Sequence, residues 1–191
     1  MRASNFVQVF FDTEYTRDGQ NTTLISIGLV TEHHSLYLEF NDYDERQTDQ
    51  WLRENVLNKL EGKDQVSSDE GRRILEEWFD NVRDGNKIQL ISAGNHLDLT
   101  LLYNLWGRTK DNNPLRAWRG NVPDFLVHHY HIDFNTILYL CGIDPNVDRS
   151  TLIDFKGENL RHNALFDAKI LHQCWQKFVV ERGLEKAFVG T

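Results

Sequence analysis

The chain is poor in the residues that staple, break or bury a polypeptide in a membrane. Its two cysteines, Cys141 and Cys174, stand far apart on apolar, helix-like segments, which points to free thiols in a reducing compartment rather than a disulfide. Only three prolines occur in 191 residues, so no proline-rich linker divides it, and neither a repeat nor a low-complexity tract is visible. No apolar run approaches the roughly 18 residues of a membrane span, and no signal-peptide pattern stands at the N-terminus. The expectation is a soluble, cytoplasmic protein that engages no membrane, folded as a single domain over residues 1–191. Positive charge is also scarce. The net charge of −8 argues against a broad basic face for bulk nucleic-acid binding. It leaves room for a small site built of carboxylates, because bound divalent ions would restore the charge locally. Much of the excess lies between Glu39 and Asp84, with 14 acids against 7 bases, and reads as a solvated outer face. A glycine-rich phosphate loop and a Gly-x-Ser-x-Gly elbow are both missing.

What is present is a sheet-then-helix order. Phe6 to Phe11 is apolar and rich in strand formers; Thr23 to Val30 and Ser35 to Phe40 follow as second and third strands. Short links, with Asp18-Gly19 and His33-His34 at the turns, predict an antiparallel meander. Apolar spacing predicts helices over Asp49–Leu60 and Ser68–Val82, the second capped by Ser67 or Ser68. Lys87 to Ser92 reads as a fourth strand, parallel to the first through a crossover. A helix over Leu97–Trp106, a loop over Gly107–Gly120, a fifth strand over His129–Phe134 and a short helix over Asn135–Cys141 come next. A long helix over Asn163–Val180 ends the pattern. This order predicts an α/β domain of the ribonuclease H-like type: a mixed five-stranded sheet flanked by helices.

Three segments carry acids where chemistry is plausible. Asp12 and Glu14 end the first strand, and residues two apart in extended chain share a face. Asp-x-Glu alone is common at surface turns; the all-apolar strand before it is what singles it out. Oxygen donors of this kind suit Mg²⁺ or Mn²⁺. Asp98 opens the Leu97–Trp106 helix, where the helix dipole alone would favour an acid. Asn163 reads as a helix cap, which leaves His162 just outside the helix and Asp167 about one turn in. Small residues at Ala164 and Ala168 would let that helix approach the sheet closely.

FFDTEYT, GNHLDLTLL and LRHNALFDAKIL resemble, in order and spacing, the three motifs of the DEDDh 3′–5′ exonuclease family. The similarity spans Phe6 to about Trp175 and is weak from Thr109 to Asn159. In FFDTEYTRDGQNTTLISIGLV and in the Leu105-Trp106-Gly107 after the second motif, the detail is most similar to short RNase AS-type exoribonucleases and related phage proteins. The resemblance implies two divalent ions, Mg²⁺ or Mn²⁺. Asp12 would bridge them, Glu14 and Asp167 would complete the first shell, Asp98 would hold the second ion, and His162 would act as general base. It also implies release of nucleoside 5′-monophosphates from the 3′ end of single-stranded RNA, a preference for adenylate, and a homodimer. A DNA exonuclease and an inactive nucleic-acid-binding module of the same fold are the competing readings.

Further contacts are expected around that centre. Thr13, Tyr15, Ile27 and Gly28 would frame the terminal nucleotide, although Ile27 equally suits the core. Arg108, Lys110, Arg116 and Arg119, near Trp106 and Trp118, would guide the strand by charge and stacking, or belong to a solvated loop. His128, His129 and His131, with His33 and His34, invite a zinc reading. No zinc-type acid or cysteine pattern accompanies them, so strand and turn histidines are expected. Asp133 is expected to be structural.

Overall fold

A computed structural model describes residues 6–17, 21–94, 96–107, 122–126, 130–153, 155 and 160–184. Strand β1 (Phe6–Tyr15) pairs antiparallel with β2 (Leu24–Val30), which pairs antiparallel with β3 (Ser35–Glu39). On its other side β1 pairs in parallel with β4 (Lys87–Ser92), and β4 with the two-residue β5 (Ile132–Asp133). The sheet order is therefore β3-β2-β1-β4-β5, the mixed five-stranded sheet that the sequence predicts. Helices α1 (Gln50–Asn55), α2 (Ser68–Arg83), α3 (His96–Gly107), α4 (Phe134–Leu140) and α5 (Ala164–Trp175) flank it. No described helix is long and apolar enough to cross a membrane.

The alternation of β1 sorts two cores. Val9 and Phe11 face Leu75 and Phe79 of α2 and Leu102 of α3. Phe10 faces α4 and α5, packing edge-on against Trp175. Cys174 is buried in this second core as a free thiol, as Cys141 is free nearby.

Several expected boundaries move, each for a visible reason. Strand β1 runs four residues past Phe11, because β2 continues to supply ladder partners as far as Tyr15 opposite Leu24. Asp12 and Glu14 thus lie within the paired strand. The expected Asp49–Leu60 helix stops at Asn55 and resumes as a 3₁₀ turn over Leu57–Lys59. Val56 interrupts it at φ −116°, turning inward to bury beside Ile25 and Leu52. Asn163 caps α5 as expected, its Oδ1 accepting from Phe166 N at 3.0 Å, while the α-helix stops at Trp175 and a π-helical turn over Gln176–Val180 follows. Ser67 caps α2, while Asp133 caps α4 and also accepts from Gly94 N at 2.8 Å, a structural role. The Asp18-Gly19 turn and residues 108–121 lie outside the described residues, so Arg108, Lys110, Arg116, Trp118 and Arg119 receive no structural account.

Candidate active site

Gly28 decides how close the last helix can come. It is the register partner of Asp12 on β2. A Cβ on Gly28 would stand 2.3 Å from Leu165 N and 2.4 Å from the Ala164 carbonyl, so only hydrogen fits beneath the first turn of α5. Ala164 and Ala168 are fully buried at this contact. The close seat brings Asp167, one turn into α5, to the face of β1 that presents Asp12 and Glu14. Carboxylate oxygens from Asp12, Glu14 and Asp167 come within 4.8 Å of one another, the one such grouping found among the described residues. Asp98 arrives from the other face of the sheet. It is almost fully buried, and Thr13, which points opposite to Asp12, donates its hydroxyl to Asp98 Oδ1 at 2.5 Å. Thr13 is thus a positioning residue for the fourth acid.

His162 stands at the N-terminal end of α5 with φ +65°, a left-handed backbone that histidine adopts more readily than most residues. Its backbone N–H donates to Asp167 Oδ2 at 2.9 Å, tying histidine and acid together. Its ring stands edge-on to Trp51, centroids 5.0 Å apart. Trp51 is half exposed on α1 at the pocket mouth. No sequence pattern signals this partnership, since helical spacing marks Trp51 only as one more apolar position. Around these groups lies a cavity of about 640 Å³, lined also by Tyr15, Arg17, Asn135, Arg149 and Arg161.

Two expected nucleotide contacts are not available. Ile27 is fully buried in the core, and Gly28 is closed over by α5, so neither presents a surface to a ligand. Thr13 and Tyr15 do line the cavity. Of the histidines weighed for zinc, His131 shares a hydrogen bond with Ser92 Oγ at 2.9 Å, and His33 and His34 form the β2–β3 turn around Thr31. His128 and His129 lie outside the described residues.

The acids resist ionisation. Burial, then Asp98, Asp167 and Glu14, raises the Asp12 pKa well above the carboxylate range. Burial, then Asp167 and Asp98, lifts Glu14 to about 8. Burial raises Asp98 to about 7 against the Thr13 hydrogen bonds, and Asp167 to about 6 against the His162 N–H bond. His162 moves the other way: burial, then Lys59 and Arg161, lowers its pKa and keeps it neutral and able to accept a proton.

These directions have a consequence for stability. Folded carboxyls with raised pKa hold protons that the unfolded chain has already released. Their contribution is fully present below the ordinary carboxylate range and is lost as pH rises through about 6 for Asp167, 7 for Asp98 and 8 for Glu14. The chelator-treated protein is therefore expected to melt lower at about pH 8 than at about pH 5, by on the order of 10 °C, given roughly 1.4 kcal/mol per pKa unit and about 2–4 °C per kcal/mol. Mn²⁺ is expected to restore the loss at the higher pH. Differential scanning fluorimetry across that range checks it, and a flat melting temperature would contradict the packed acid cluster.

Comparison with known proteins places the fold first. The chain is similar to the Mg²⁺- and Mn²⁺-bound Schizosaccharomyces pombe Pop2p structure, with a TM-score of 0.52 at 13% identity over 90% of this chain and 83% of that one. The fold is ribonuclease H-like. No protein-family model matches the chain. Two curated relatives do: the 3′–5′ exoribonuclease Rv2179c of Mycobacterium tuberculosis H37Rv and the 3′–5′ exoribonuclease MT2234.1 of strain CDC 1551. Each is 32% identical over 123 residues, 62% of this chain and 69% of the relative. The chain belongs to their family, the DEDDh 3′–5′ exonucleases.

Proposed function

We propose that this chain is a single-domain, metal-dependent 3′–5′ exoribonuclease that removes nucleoside 5′-monophosphates one at a time from single-stranded RNA. The observation that carries the reading is the convergence of four carboxylates, Asp12, Glu14, Asp98 and Asp167, from β1, α3 and α5 on one cavity beside a neutral histidine. The donor set fits divalent cations of the Mg²⁺ or Mn²⁺ type: it is all oxygen, and burying four acids this closely makes sense when cations neutralise them. Asp12, Glu14 and Asp167 would hold one ion, and Asp12 with Asp98 a second. Two ions held by these residues would supply charge stabilisation for the attacking and leaving oxygens of an in-line phosphoryl displacement.

The chain's own residues supply the rest. His162 Nδ1 or Nε2 takes the proton from the attacking water, and its depressed pKa leaves it free to do so at neutral pH. Trp51 holds the imidazole edge-on and fixes its orientation. Asp167 accepts the His162 backbone N–H, so base and metal-binding acid move together. Tyr15 and the half-exposed Trp51 flank the cavity with aromatic faces on which a terminal base can stack. A binding module that never meets cations would gain nothing from these buried acids, which disfavours an inactive reading.

Single-stranded RNA with a free 3′ end is the proposed substrate, with adenylate ends preferred and a homodimer as the assembly; the two mycobacterial exoribonucleases support the RNA assignment. Telling RNA from DNA requires a polar contact to the 2′-hydroxyl, which Glu14 or the backbone near Tyr15 would make. In a Mg²⁺ or Mn²⁺ time course, four homopolymeric RNAs are expected to shorten from the 3′ end, polyadenylate fastest. A DNA oligomer is expected to lag, and a 3′-phosphate-blocked RNA to persist. Faster cleavage of DNA would overturn the substrate class, and undiminished cutting of the blocked strand would overturn the polarity.

A further inference from the structure

The cavity holds a cation set apart by its burial: several arginines among the described residues, Arg17 of the same cavity included, join none of the ion pairs found there, but of them only Arg149 has a buried side-chain nitrogen with no hydrogen-bond partner. Arg46, Arg72, Arg83 and Arg161 are each paired with a carboxylate: Asp44, Glu76, Asp80 and Asp148. Arg149 lines the same cavity as the four acids, yet none of the ion pairs among the described residues includes it. Its Nη2 donates instead to two neutral acceptors, Ala93 O at 2.8 Å and Asn135 Oδ1 at 3.3 Å. Its Nε is buried with no hydrogen-bond partner among the described residues. The backbone beneath is pinned as well: Asp148 caps the 3₁₀ turn over Arg149–Leu152, and Cys174 Sγ donates to the Arg149 carbonyl.

Arg149 shares one cavity with Asp12, Asp98 and Asp167. A guanidinium meant only to neutralise those acids would pair with one of them, the strongest arrangement open to it. This one is held near them and apart. Four carboxylates and two divalent ions sum to zero, Arg161 is paired with Asp148, and Asp49 formally balances Arg17, so the loaded cavity would be left with one positive charge, that of Arg149. A phosphodiester carries one negative charge.

We propose that Arg149 is the phosphate-binding residue of this site, pairing with the scissile phosphodiester and then with the 5′-phosphate of the released nucleotide. The assignment rests on the exonuclease reading above and adds to it a residue that the three motifs do not contain.

Calorimetry on the Mn²⁺-loaded protein separates the possibilities, with adenosine 5′-monophosphate and adenosine as probes. A hydrogen-bonded charge pair of this kind corresponds to about a ten- to hundredfold change in affinity. Arg149→Gln is expected to weaken monophosphate binding by about that factor. Adenosine binding should be unchanged, and Mn²⁺ affinity unchanged or higher, since a repelling charge is gone. Arg149→Lys, which keeps a charge but loses the fork, should fall between, and it carries the test if Arg149→Gln does not fold. Wild-type affinity for the monophosphate in the variants would overturn the proposal, as would a parallel loss of adenosine and Mn²⁺ binding, the mark of a structural role. A wild-type protein that neither binds the monophosphate nor shortens RNA would overturn the exonuclease reading and this inference together. A wild type that does both while Arg149→Gln matches it would overturn the inference alone.

Discussion

Asp12→Asn is expected to abolish RNA hydrolysis while leaving a protein that folds and, without metal, melts higher than the parent. The substitution keeps the side-chain volume and removes the charge. Asp12 is the acid pressed by three others at once, from Glu14 on its own strand, Asp98 on α3 and Asp167 on α5. Losing the ligand that both proposed ions would share forfeits several kcal/mol of transition-state stabilisation, about 10³-fold or more in rate. Losing the charge relieves repulsion and desolvation in the metal-free fold. Relief of about 1 kcal/mol would show as roughly 2–4 °C in melting temperature. Paired thermal melts at neutral pH and a labelled-RNA time course test both halves. Substantial hydrolysis by purified Asp12→Asn would rule out the proposed centre, and a lower melting temperature would show that Asp12 is not strained by its neighbours.

The second large effect belongs to His162. His162→Asn is expected to lose roughly 10²–10⁴-fold in rate, the usual scale for general base catalysis, with little change in Mn²⁺ affinity. Asparagine is the informative substitution because the position has φ +65°, which asparagine accommodates better than most side chains. The backbone N–H that serves Asp167 is therefore kept while the imidazole is removed. His162→Ala loses the same base but sits less comfortably on that backbone, so agreement between the two variants would exclude a backbone artefact. A large fall in Mn²⁺ affinity in His162→Asn would mean that the imidazole coordinates metal. Unchanged turnover would pass the base role to another group.

Two acids of the site were legible because strand geometry is local. A run of apolar strand formers leading into Asp-Thr-Glu places Asp12 and Glu14 on one face whatever the rest of the chain does. Cap chemistry is local too, and Asn163 predicts where α5 begins and hence where Asp167 stands. By contrast, the strand's length depended on a partner: β1 passes Phe11 only because β2 lies beside it as far as Leu24. The nucleotide role expected for Ile27 and Gly28 failed for a related reason. Proximity to the first motif in the sheet was read correctly, but the space over Gly28 belongs to Ala164 and Leu165.

The resemblance to three exonuclease motifs singles out five residues; by itself, local patterning determined the order of strands and helices and the alternation that sorts two cores. These follow from periodicities of two and 3.6 residues and from caps, which need no long-range information. Only the tertiary structure decided which residues serve those five. Thr13 holds Asp98 at a separation of 85 positions, Trp51 braces His162 from the first helix, and Arg149 is drawn into the cavity by Ala93 and Asn135. Such contacts carry no period and no fixed spacing. They exist because closing α5 onto a glycine in β2 brings distant segments within hydrogen-bonding reach, and that closure is a property of the packed whole.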